Sequence, residues 1–217
     1  MRCKAAIFDL DGTLVDSLAD LADSVNEALA SYGYPQHATE AYRYFVGNGA
    51  RLLLARALPE GADEALVDEA LEKYKAIYAR RMLVKTRPYP GVLELLAALK
   101  ARGVQLAVCT NKHHEAALEV VSALFPAGTF AQVLGDDGVR ARKPDPAAVL
   151  GILAAFGVQP EEALYMGDSA VDMETALRSG ALPVGALWGF RPRAELSAAG
   201  GRLLLTRPQE LLEHLAI

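Results

Sequence analysis

Two carboxylates two residues apart, Asp9 and Asp11, are followed at once by Gly12 and Thr13, and they stand where the uncharged run Ala5 to Phe8 stops. Carboxylates so placed can serve as nucleophile, as general acid and base, or as ligands of a hard cation. Three later segments carry matching groups: Thr110-Asn111-Lys112, Arg142-Lys143-Pro144-Asp145-Pro146 and Gly167-Asp168-Ser169-Ala170-Val171-Asp172. Each has a plainer reading. Asp11-Gly12 is a common hairpin turn, Thr110 a helix N-cap, Lys143 solvated surface, and Asp168 with Asp172 acids that favour the positive end of a helix. A helix beginning at Asp168 puts Asp168 and Asp172 on one face.

Function depends on whether these tips meet, and the elements between them say how. Ala5 to Phe8 is too short for a helix and reads as a strand buried on both faces, as in parallel sheets. After it the period changes. Leu18, Leu21, Val25, Leu29 and Tyr32 fall three or four apart behind Ser17 as cap, Thr39 caps a short helix to Val46, and Gly47-Asn48-Gly49 breaks it. Ala50 to Leu58 and Ala62 to Met82 are further helices, so residues 16–85 form a helical unit without a convincing strand. The stiff stretch Thr86-Arg87-Pro88-Tyr89-Pro90-Gly91 returns the chain to another organisation.

From there helix and strand alternate: helix Val92 to Arg102, strand Val104 to Thr110, helix Glu115 to Leu124, strand Ala131 to Leu134. Helix Pro146 to Phe156, strand Ala163 to Met166, helix Val171 to Ser179 and strand Leu182 to Ala186 follow, then a short strand near Leu203 and a helix from Gln209. Alternation of this kind predicts right-handed βαβ units. The expected fold is α/β, a Rossmann-like parallel sheet with helices on both faces, formed by residues 1–15 and 86–217. In such sheets ligands sit beyond the carboxyl ends of the strands, where Asp9, Asp11, Gly12 and Thr13 fall. Should the tips converge, Asp9, Asp11, Asp168 and Asp172 crowd, and two carboxylates about 4 Å apart at an effective dielectric near 20 repel by roughly 4 kcal/mol. One lysine does not balance four acids. An all-oxygen site that keeps waters and accepts a phosphate suits Mg²⁺.

Composition narrows the classes. A net charge of -5 disfavours nucleic acid and anionic lipid as partners. No apolar run is long enough to span a membrane and no signal-peptide pattern precedes the first strand, so a cytoplasmic protein is expected. Cys3 and Cys109, the two cysteines, lack zinc or disulfide spacing and read as reduced core residues. His113 and His114 have no matching ligand set and read as surface.

Asp9-Leu10-Asp11-Gly12-Thr13-Leu14-Val15-Asp16-Ser17 after an apolar strand resembles the nucleophile motif of the haloacid-dehalogenase-like superfamily, in particular its phosphatase branch. The resemblance implies Asp9 as nucleophile and Asp11 as general acid and base; dehalogenases of the family lack the second Asp. It also implies that Thr110 hydrogen-bonds the transferring phosphoryl group, with Asn111 helping to orient substrate and Gly12 and Thr13 beside the phosphate. Lys143 would neutralise nucleophile and phosphate. Mg²⁺ would be held by Asp9, the backbone carbonyl of Asp11, and Asp168, with Asp172 as ligand or support. The helical unit resembles the family's cap. Within it Phe45-Val46-Gly47-Asn48-Gly49-Ala50-Arg51 and Arg56-Ala57-Leu58 look like the phosphoglycolate phosphatases, although Gly47-Asn48-Gly49 reads equally well as a turn. Arg51 could meet a substrate carboxylate; a solvated helix residue is its plainer reading. The implied partner is a small phosphorylated metabolite, the expected assembly a monomer or weak homodimer, and the alternative activities are a phosphomutase of the β-phosphoglucomutase type or a phosphatase or pyrophosphatase with another small phosphorylated substrate.

Overall fold

The computed structural model describes residues 3–215; the outermost residues of the expected core, 1–2 and 216–217, lie outside the described residues. In chain order the elements are β1 Ala5–Phe8, β2 Val15–Asp16, α1 Leu18–Ala30, α2 Tyr42–Phe45, α3 Ala50–Ala57, α4 Glu64–Arg81, β3 Arg87–Pro88, α5 Val92–Ala101 and β4 Gln105–His113. Then come α6 His114–Leu124, β5 Gln132–Asp136, α7 Ala147–Phe156, β6 Ala163–Gly167, α8 Ala170–Ser179, β7 Leu182–Ala186, α9 Arg193–Ala198, β8 Leu203–Leu205 and α10 Leu211–His214.

The strands build a six-stranded sheet in the order β5-β4-β1-β6-β7-β8, and every pairing in it is parallel. The uncharged β1 is buried along its whole length because it lies between β4 and β6, with apolar clusters on both faces. Phe8 belongs to one cluster and Ile7 to the other, as alternation along a strand requires. The chain leaves β1 toward β4 and later returns to its other side at β6. That reversal of strand order opens a crevice beyond the carboxyl end of β1.

The helices α1 to α4 are inserted between β1 and β4, as the change of period predicted. At the base of the insertion β2 and β3 pair antiparallel, Val15 with Pro88 and Asp16 with Arg87, a two-stranded link that the sequence pattern did not show. Buried Asp20 fastens the same junction by accepting from the backbone N–H of Lys85 and Thr86 and from the Thr86 hydroxyl at 2.7 Å.

Several expected ends and caps differ. Helix α1 stops at Ala30, short of Tyr32, and Ser17 makes no cap hydrogen bond, because its hydroxyl is committed to Asp11. Thr39 lies inside a 3-10 turn, Thr39–Ala41, instead of capping it. Asp63, overlooked in the sequence, caps α4 by accepting from Leu66 N. Strand β4 continues to His113, three residues beyond the expected Thr110. Both cysteines are buried and free, as expected of core residues. Among the described residues no helix is long and apolar enough to cross a membrane.

Candidate active site

The strand ends bring the polar tips together. Asp9 follows β1, and its N–H donates to Met166 O of β6 at 2.9 Å, which fixes the backbone as it leaves the sheet. Lys143 reaches across from the segment before α7. Its ammonium lies 3.0 Å from Asp9 Oδ1 and 2.7 Å from Asp172 Oδ1, and it donates to Tyr165 Oη at 2.9 Å. Tyr165 in turn donates to the Cys109 carbonyl at 2.6 Å.

Asp168 follows β6 and has both oxygens held, one by Phe190 N at 2.7 Å and the other by the Thr13 hydroxyl at 3.4 Å. Gly12 makes this approach possible. It sits at φ +82°, and a Cβ there would fall 2.3 Å from Asp168 Oδ2.

Burial costs dominate the electrostatics. Desolvation, with Asp172 nearby, pushes the Asp9 carboxyl up to about 6 against the opposing pull of Lys143 and the Thr110 hydrogen bond. Burial, then Asp172 and Asp9, drive Asp168 well above the carboxylate range. Burial by itself would lower the Lys143 ammonium, yet Asp172 and Asp9 reverse this and hold it above the ordinary lysine range. One buried lysine thus faces three buried acids, Asp9, Asp168 and Asp172, whose oxygens lie within 4.8 Å of one another. Lys143, 3.0 Å away, is the partner of Asp9 Oδ1, and it is shared with Asp172. An all-oxygen cluster with excess negative charge fits a hard divalent cation.

Asp172 is the acid of the three that also caps a helix. The helix it was expected to share with Asp168 begins later, at Ala170, with Ser169 as N-cap, so Asp168 precedes the helix. Asp172 is the third helical residue and closes a capping box: its Oδ2 accepts from Asp168 N, Ser169 N and the Ser169 hydroxyl at 3.1, 3.0 and 2.7 Å. With Oδ1 on Lys143, both of its oxygens are taken by protein.

Asp11 stands apart from the acidic cluster and faces the cavity. Its carboxylate accepts from the Ser17 hydroxyl at 2.7 Å and from Lys112 Nζ at 3.0 Å to each oxygen. Lys112 also donates to the hydroxyl of Tyr78, on α4 of the insertion, at 2.6 Å. Sequence reasoning passed over Lys112 and Tyr78, because a lysine after Thr110-Asn111 and a tyrosine on a charged helix carry no pattern of their own.

The remaining expected residues divide. Thr110 lines the cavity with Asp9, and its side chain lowers the Asp9 carboxyl. Asn111, expected to orient a ligand, lines the cavity and brackets the Lys143 backbone, accepting from its N–H at 2.9 Å and donating to its carbonyl at 3.2 Å, and donates to Gly47 O at 3.1 Å. Thr13 is fully buried and turned to Asp168. Asn48 accepts from Arg56, and Arg51, at the cavity rim, is paired with Asp68 at 2.7 Å. Gly47 and Gly49 both adopt positive φ, so the turn reading of that segment holds. His113 is exposed, and His114 accepts from Gly135 N.

Between the strand ends and the insertion lies a cavity of about 530 Å³ lined by Asp9, Asp11, Thr110, Lys112 and Asp168 below and by Leu53, Tyr74, Tyr78 and Met82 above. Cross-links close it: Arg43 donates to Gly189 O at 3.0 Å and Arg191 to Val46 O at 3.0 Å, besides the Asn111 and Lys112 bonds already given.

Comparison with known proteins places this geometry. Residues 6–186 match the haloacid dehalogenase-like hydrolases. The chain belongs to that family. A phosphoglycolate phosphatase of Rhodospirillum rubrum is 40% identical over 204 residues, 90% of this chain and 85% of the relative. One from Pseudomonas putida is 36% identical over 96% of this chain and 78% of its own length, and one from Aquifex aeolicus 33% identical over 97% and 95%. A solved structure from Lactobacillus delbrueckii subsp. bulgaricus, 32% identical, superposes with a TM-score of 0.93 over 99% of each chain. This haloacid dehalogenase-like hydrolase is an enzyme of the phosphatase type.

Proposed function

We propose that this phosphatase hydrolyses phosphomonoesters with Mg²⁺ through an aspartyl-phosphate on Asp9, and that 2-phosphoglycolate is its substrate. The observation that carries the reading is the division of labour between two carboxylates facing one cavity. Asp9 stands against a buried lysine, and Asp11 stands outside the acidic cluster with its oxygens on Lys112 and Ser17.

In the first step Asp9 attacks phosphorus, the ester P–O bond breaks, and Asp11 gives its proton to the leaving oxygen. Water then attacks the phosphoryl group while Asp11 takes its proton, and Asp9 is released as carboxylate. Lys143 and Thr110, both next to Asp9, stabilise charge on the phosphoryl oxygens. Asp9, Asp168 and the backbone carbonyl of Asp11 would hold Mg²⁺, which would supply the positive charge that one lysine does not, with Asp172 supporting the site from behind. Residues 16–85 act as a lid whose bonds to the core exclude bulk water during chemistry.

The substrate assignment is supported by the names of relatives 33–40% identical over nearly the whole chain and by the small, partly apolar cavity. It is tested by phosphate release with Mg²⁺ across small phosphorylated acids, sugars and nucleotides, with Asp9→Asn as blank. The expected result is highest kcat/KM on 2-phosphoglycolate and no bisphosphate requirement. Preference for another compound overturns the substrate, and phosphoryl transfer to a sugar in place of phosphate release overturns the hydrolase reading.

A further inference from the structure

Among the described residues six lysine and arginine side chains line the cavity: Arg43, Arg51, Lys75, Lys112, Arg142 and Arg191. Five are engaged with acids that take no part in the chemistry, namely Glu40, Asp68, Glu72, Asp136 and Glu195. Lys112 is different. Its side chain is 5% exposed, and its sole acidic partner is Asp11, the group that hands the proton to the departing oxygen.

Reach follows from that partnership. A general acid must come within about 3 Å of the oxygen it protonates. Lys112 Nζ lies 3.0 Å from both Asp11 oxygens, so the ammonium is within about 6 Å of the ester oxygen in any productive complex. In 2-phosphoglycolate the carboxylate is one methylene from that oxygen. Lys112 is therefore the cation such a carboxylate meets, and Tyr78 on the insertion helps to hold the ammonium by accepting from it at 2.6 Å. Leu53, Tyr74 and Met82 form an apolar wall nearby, which strengthens an ion pair and penalises a charge left alone.

We infer that Lys112 is the specificity-determining residue of this site, selecting substrates that bear a carboxylate next to the phosphate ester. The inference rests on the phosphoglycolate reading above and deepens it. No lid residue need supply the selecting charge: the rim arginine that could meet a carboxylate, Arg51, is held by Asp68 on the insertion, in keeping with its plainer reading.

The test compares kcat/KM for 2-phosphoglycolate and for 2-hydroxyethyl phosphate, which replaces the carboxylate by a neutral group, in wild type, Lys112→Met and Lys112→Arg. The ratio of the two substrates on one preparation does not depend on how much of a variant folds, and disturbance of Asp11 affects both substrates. Lys112→Met is expected to lower the ratio by about 10- to 100-fold, the worth of a charged hydrogen bond, and Lys112→Arg to retain most of it. An unchanged ratio in Lys112→Met, or an equal fall in Lys112→Arg, overturns the inference. If wild type itself shows no preference for 2-phosphoglycolate, the failure lies with the substrate assignment; if wild type prefers it and Lys112→Met does too, only the role of Lys112 fails.

Discussion

Replacing Asp172 by Asn separates scaffolding from ligation in the acidic cluster. The side chain is fully buried, and an asparagine keeps one oxygen for the N–H groups of Asp168 and Ser169. Its NH₂ then faces Lys143 Nζ, where the carboxylate oxygen had been 2.7 Å away, a donor against a donor. Breaking a buried ion pair costs about 3–5 kcal/mol. Lys143 keeps Asp9 at 3.0 Å and one of three crowded acids loses its charge, so the lower end applies, about 3 kcal/mol. For a chain of this size that lowers Tm by about 6–12 °C. Scanning calorimetry at pH 7 with EDTA measures it. A second reading has a definite sign: Asp172 raises the Asp9 carboxyl, so removing its charge moves Asp9 below about 6, as followed by carboxyl-carbon NMR. A loss under about 1 kcal/mol, or an upward move of Asp9, refutes the reasoning.

Other expectations follow from the same geometry. Gly12→Ala adds a Cβ 2.3 Å from Asp168 Oδ2 at φ +82°, so chemical denaturation is expected to show a loss of about 1–3 kcal/mol from the backbone alone. Mg²⁺ at a hundred times its dissociation constant is expected to stabilise the wild type by about 2.7 kcal/mol, seen as a rise in Tm, and Asp168→Asn to remove most of that rise. Without metal, the folded Asp9 carboxyl at about 6 binds its proton more tightly than the unfolded one at 3.8. Its contribution to stability is therefore complete below the unfolded value and lost as pH rises through the folded one. Denaturant titrations in EDTA from pH 4 to 7 are expected to show the wild type losing stability relative to Asp9→Asn, and the opposite slope contradicts it.

What was legible in the chain had a period or a motif. The uncharged Ala5–Phe8 announced a doubly buried strand, the 3.6-residue spacing after Ser17 announced the insertion, and the acids after β1 and β6 were expected at strand ends, where they lie. Short-range competition hid the rest. Ser17 looks like a cap, but a carboxylate six residues back offers its hydroxyl a better acceptor than the helix N–H groups. Asp172 reads as a ligand or a support because it is acidic and near Asp168, and only the start of α8 at Ala170 shows that it also closes the capping box and pairs with Lys143. Lys112, Tyr78 and Arg191 were invisible because their meaning lies in contacts between the insertion and the core, 34 residues apart for Lys112 and Tyr78 and 145 for Arg191 and Val46.

In the proposed mechanism a carboxylate oxygen of Asp9 receives the phosphoryl group. Asp11→Asn lacks the base that activates water, so with acetyl phosphate, whose leaving group needs no proton, a phosphoenzyme is expected to accumulate and to survive an acid quench. Mass spectrometry of the digest should find one phosphoryl group on the peptide carrying Asp9, and none when Asp9→Asn is added. A phosphoryl group on another residue, or a phosphoenzyme that persists in the double variant, would contradict the account.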